Sequence, residues 1–75
     1  MNLPERIVID TKICVGKPCI RGTRLSVDLI LELLAFGWSF TQIQEEYEIE
    51  KDDILAVLQY AHQVVSNENV FEIST

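Results

Sequence analysis

The sequence is short of the residues on which most catalytic and metal chemistry rests. It has one histidine, His62, and two cysteines, Cys14 and Cys19, in 75 residues. Together these offer three soft ligands at most, and the cysteines are too far apart for the tight pairs of a zinc ribbon, so neither a metal nor a cofactor is expected. Two cysteines are also too few for a disulfide framework. Both read as small apolar residues in or near the core of a reduced protein. No glycine-rich loop opens a helix, and His62 reads as a surface or half-buried helical residue, so an enzyme is not expected. The chain lacks a run of eighteen apolar residues, and its first twenty residues lack a charged start followed by an apolar stretch. Neither a membrane span nor a signal peptide is expected, which makes a cytoplasmic protein the default.

Positive charge is scarce as well, six Lys and Arg against twelve Asp and Glu, and its placement is uneven. Residues 1–24 carry Arg6, Lys12, Lys17, Arg21 and Arg24 against Glu5 and Asp10, a net +3. Residues 25–75 carry Lys51 alone against ten carboxylates, a net −9. A bipolar molecule of this kind attracts partners of opposite sign at its two ends. What is plentiful is apolar residues, 48% of the chain, enough for a compact unit. At this length one core buries barely enough surface to offset chain entropy, so a homodimer is expected.

Arg6–Asp10 is short and β-branched and predicts a strand. A second extended piece is expected over Pro18–Arg21, between Gly16 and Gly22 as turn or bulge sites. Such a ribbon cannot stand alone in water and must lie on helices or on another chain. Ser26 is a good N-cap for a helix to about Phe36, with Asp28 in its first turn and Gly37 as its stop. That helix is apolar most of the way round, which predicts burial on more than one side. Ser39 and Gln42 have the spacing of a capping box, inside a Trp38/Ile43 staple, for a helix Phe40–Tyr47. Ile49 and Ile54 repeat the staple around Glu50, a poor cap. From Lys51 to about Val65, the residues Ile54, Val57, Leu58, Ala61 and Val65 share one face at helical spacing. The organisation expected is one domain: a ribbon arm over 1–24, a three-helix unit over 25–66 and a tail over 67–75. For the tail, Val70, Phe71 and Ile73 leave a strand, a partner-binding segment and a frayed end all open.

A short helix, a tight turn and a longer helix form a candidate helix-turn-helix, with Gln44 and Glu48 where that motif usually has a small residue and a glycine. Any trihelical domain would show similar apolar spacing. In the motif, the second helix would present Glu50, Lys51, Asp52, Leu55, Ala56 and Gln59 to base edges. Of these, Lys51 and Gln59 can hydrogen-bond to bases, whereas Glu50, Asp52 and Asp53 would be repelled by phosphates. The missing positive charge lies in GKPCIRGTR, Gly16 to Arg24. Its cations, with Lys12, would touch phosphate or read a groove from the ribbon. The bland alternative is that Lys17, Arg21 and Arg24 pair with the acidic helices of the same molecule, as weak surface ion pairs.

The run from Arg6 to Ala61, with its GKPCIRGTR core, resembles the domain of unknown function 433 family. The resemblance covers about residues 5–61, and Glu50 stands where relatives usually have a threonine or serine cap. It implies a mainly α, trihelical, homeodomain-like helix-turn-helix fold with a short N-terminal β-ribbon. It also implies an antitoxin role, because relatives are often encoded beside a PIN-like nuclease toxin. Such a protein needs one surface to block the nuclease and, optionally, another for operator DNA. The rival reading is a stand-alone helix-turn-helix regulator.

Overall fold

A computed structural model describes residues 3–67 of the chain. In order, it contains β1 (Ile7–Val8), β2 (Cys19–Ile20), α1 (Val27–Ala35), α2 (Phe40–Tyr47) and α3 (Lys51–Ser66). The two strands form an antiparallel ribbon with Ile7 opposite Ile20 and Val8 opposite Cys19. The ribbon packs on α3 through β1, and the three helices pack on one another. This is the mainly α, trihelical fold with an N-terminal β-ribbon that the sequence predicts. The segment of the expected tail beyond Asn67, with Val70, Phe71 and Ile73, lies outside the described residues.

The strands are shorter than the apolar pattern suggests. Asp10 does not extend β1. Its side-chain Oδ1 accepts the Lys12 N–H at 2.8 Å, and its carbonyl accepts the Ile13 N–H at 2.9 Å. An aspartate that captures the backbone two residues on turns the chain, and Ile9 is left half exposed at 51%. After β2 the chain folds back at Gly22, whose φ of +81° is open to glycine at little cost. The return brings Ser26 beside Cys19 and lets Val27 N–H reach the Pro18 carbonyl at 2.9 Å.

Helix starts follow the sequence closely. Ser26 Oγ accepts from Leu29 N–H at 3.0 Å. Ser39 and Gln42 bond reciprocally: Oγ accepts from Gln42 N–H at 3.1 Å, and Gln42 Oε1 accepts from Ser39 N–H at 2.8 Å. These bonds use amide hydrogens that a helix cannot satisfy internally. At α3 the arrangement differs, since Asp53 Oδ2 accepts the Glu50 N–H at 2.9 Å while the Glu50 carboxylate turns away to Arg6.

The core is a cluster of aliphatics, nearly all branched, drawn from every element: Ile7, Ile20, Val27, Ile30, Ile43, Ile49, Ile54, Ala56 and Val57. Each fully buried isoleucine contributes on the order of 1.5–3 kcal/mol. Leu25, Leu31, Leu33, Leu34, Trp38 and Phe40 pack half-buried around it. Two expectations for α3 are corrected. Ala56, expected to face outward, is buried at 5% exposure, and Leu58 and Val65, expected to face the core, are 36% and 63% exposed. Ile54 and Val57 do face the core, and so does Ala56 where β1 and the other helices meet α3. The large residues Leu55 and Leu58 are turned outward.

Candidate interaction surfaces

The ribbon and the start of α3 are joined by one arginine. Arg6, just before β1, places Nη1 at 2.9 Å from Glu50 Oε1 and 3.0 Å from Asp53 Oδ1, with Nη2 3.8 Å from Asp52 Oδ2. These are the ion pairs found among the described residues. The bonds to Asp53 and then Glu50 raise the Arg6 pKa above its ordinary value, against a smaller opposing effect of desolvation. The three carboxylates sit in or beside the first turn of α3, where the helix dipole already favours negative charge. Sequence reading missed Arg6 because its partners lie more than forty positions away. The signal for it was an arginine opening a strand in a chain with an acidic helix start.

The sequence-predicted cations behave differently from one another. Arg21 sends Nε to the Glu5 carbonyl at 3.0 Å and Nη2 to the same oxygen, while its backbone N–H reaches the Arg6 carbonyl at 2.7 Å. Its guanidinium therefore ties the ribbon to the chain before β1. The bland alternative, internal ion pairs from Lys17, Arg21 and Arg24, does not form among the described residues; Arg6 makes such pairs instead. Lys12, Lys17 and Arg24 are exposed, and Arg24 lines a shallow recess with Ile13, Gly22 and Thr23. These residues surround the tight turn Cys14–Gly16, where three consecutive residues have positive φ, namely 54°, 54° and 81°. A β-branched residue such as Val15 is rarely found there. Val15 is also 91% exposed, so no packing compensates for its conformation.

The second surface is the outer face of α3. Lys51 and Gln59 are both exposed. Gln59 lines a recess with Arg6, Asp52 and Leu55, and it also borders an open groove of about 440 Å³ formed with Leu55, Leu58, His62 and Gln63. His62 Nε2 is 3.3 Å from Ser66 Oγ, on the exposed side. The predicted reading surface thus separates into an acidic start, neutralised in part by Arg6, and an apolar continuation.

Between α2 and α3, Glu48 has φ 54° and ψ 46° and its N–H bonds to the Gln44 carbonyl. This left-handed residue is what the turn of a helix-turn-helix requires and what glycine usually supplies. The family profile described as "Protein of unknown function (DUF433)" matches residues 7–61. The chain belongs to the DUF433 family. A DUF433 member protein from Anabaena variabilis, known from a crystal structure, superposes with a TM-score of 0.76 at 24% identity. The match covers 81% of this chain and 61% of that one, so this chain spans less than two thirds of that protein's length. An uncharacterised protein from Archaeoglobus fulgidus is 62% identical over 24 residues, 32% of this chain and 67% of that protein. For this DUF433 protein no helix among the described residues is long and apolar enough to cross a membrane. No cluster of three metal-ligating side chains occurs among those residues.

Proposed function

We propose that this DUF433 protein is the antitoxin of a type II toxin–antitoxin pair, and that the outer face of α3 docks on a PIN-like nuclease. The observation that carries the reading is the chemistry of that face. A helix that reads bases needs hydrogen-bond donors and positive charge, whereas α3 presents exposed Leu55 and Leu58 behind an acidic first turn. Exposed apolar side chains rimmed by charge suit a protein partner, and negative charge suits a nuclease whose RNA path is basic. Co-expression with the neighbouring gene's product tests this. The expected result is a co-purifying complex in which RNA cleavage and toxicity are suppressed, and Leu58→Asp breaks the complex while leaving the fold intact. Unrelieved toxicity with both proteins present and folded would remove the antitoxin role.

A second reading has its own observation. Lys12, Lys17 and Arg24 are exposed around the ribbon turn and lack carboxylate partners within ion-pair distance among the described residues. They support contact with the phosphates of operator DNA, either beside the antitoxin role or as a stand-alone helix-turn-helix regulator. In either case the ribbon supplies the phosphate contacts that α3 lacks.

A further inference from the structure

One cysteine opens the strained turn and the other follows it on β2, and the two converge on one short piece of backbone. Cys14 Sγ donates to the Arg24 carbonyl at 3.2 Å, and Cys19 Sγ donates to the adjacent Thr23 carbonyl at 3.8 Å. Consecutive carbonyls thus hold both sulfurs, five positions apart in the chain, against the same two-residue segment. Cys14 is half-buried and Cys19 fully buried. Burial raises the Cys19 pKa first, Cys14 and Asp10 add to it, and Arg24 opposes them. Cys14 is thus the sulfur open to a reagent, and Cys19 is a protected thiol on the adjacent carbonyl.

We propose that Cys14 and Cys19 form a redox-active dithiol that closes reversibly to an intramolecular disulfide by exchange with a low-molecular-weight disulfide such as oxidised glutathione. The Cys14 thiolate attacks one sulfur of glutathione disulfide. That S–S bond breaks, one glutathione leaves as thiolate and takes up the proton that Cys14 lost, and the other stays bound to Cys14. Cys19 then gives up its proton and attacks Cys14 Sγ, forming the internal S–S bond and releasing the second glutathione, which takes that proton. In sum, two protein thiols are oxidised and one glutathione disulfide is reduced to two thiols. The half-buried residue opens the exchange and the buried one resolves it, an order that exposure dictates. Closure removes both S–H donors from the Thr23 and Arg24 carbonyls. Its effect is therefore felt in the segment that carries Arg24. The inference rests on the thiol geometry alone and is independent of the antitoxin reading.

The test uses the reduced full-length chain, oxidised glutathione at neutral pH and intact-mass spectrometry. The expected product has lost two hydrogens, carries no glutathione, has no titratable thiol and returns to the starting mass with a dithiol reductant. Cys19→Ala, which keeps the open sulfur and removes the resolving one, should stop with one glutathione on Cys14. The native fold should also close the bridge faster than the same chain in denaturant. Two unreacted thiols, a lasting glutathione adduct on the wild type, a disulfide between chains, or closure no faster when folded than when unfolded would each overturn the proposal. The wild-type measurements decide the matter even if the variant fails to fold.

Discussion

Glu48 shows how a single residue carries strain that the fold overrides. Left-handed backbone costs a non-glycine residue about 1–2 kcal/mol, and Glu48 adopts it at φ 54° because Ile43 before the turn and Ile49 and Ile54 after it must all reach the core. Its carboxylate also stands at the C-terminal end of α2, where the helix dipole opposes negative charge. Glu48→Gly relieves both effects, and the larger unfolded-state entropy of glycine takes back part of the gain. The expected result is a rise in stability of about 0.5–1 kcal/mol. In thermal unfolding that is a shift of a few degrees, at about 4–8 °C per kcal/mol for a domain this small. Glu48→Ala keeps the strained backbone and should give little of this; equal gains from Gly and Ala would show that charge, not backbone conformation, is the cause. Val15 poses the same conformational problem at 91% exposure, with no apolar burial to offset it.

At the scale of elements, the ribbon is the part that joins function to fold. It is only two residue pairs long, and such ribbons are marginal in isolation. It is held by Ile7 and Ile20 in the core, by Arg6 on the α3 carboxylates and by Arg21 on the Glu5 carbonyl. Arg21 therefore has a structural task that Lys17 and Arg24 lack, and a phosphate-contact test belongs on the latter two. If the ribbon meets DNA, Lys17→Ala with Arg24→Ala should weaken binding alike across sequences. The slope of logarithmic affinity against logarithmic salt should flatten by about 0.9 for each phosphate that is no longer neutralised. Thermal stability should hardly change, because neither side chain is buried. Binding curves that coincide with the wild type at every salt concentration would end the DNA reading while leaving the nuclease reading intact.

At the scale of the molecule, the distribution of apolar surface is the dominant fact. Phe36 at 74%, Val65 at 63%, and Leu55 and Leu58 at 36% each stand exposed on a chain whose core is a small aliphatic cluster. We expect self-association in the absence of a partner. Light scattering across micromolar concentrations should give about twice the 8.6 kDa of one chain, and Leu58→Asp should lower that mass if the α3 face is the contact. A stable particle of one chain throughout would refute the dimer. How much of this was legible in the sequence depended on range. Helix starts at Ser26 and Ser39, the stop at Gly37 and the left-handed glycines were readable because each rests on hydrogen bonds or backbone freedom within a few residues. The GKPCIRGTR run was enough to mark the family. What only the tertiary structure decided were relations across the chain: that Arg6 takes the carboxylates of α3, that Arg21 is spent on a carbonyl, that Cys14 and Cys19 settle on adjacent carbonyls, and that Ala56 rather than Leu58 faces the core. Periodicity names a helix's apolar residues but not its rotation, and that angle is set by which neighbours bury it.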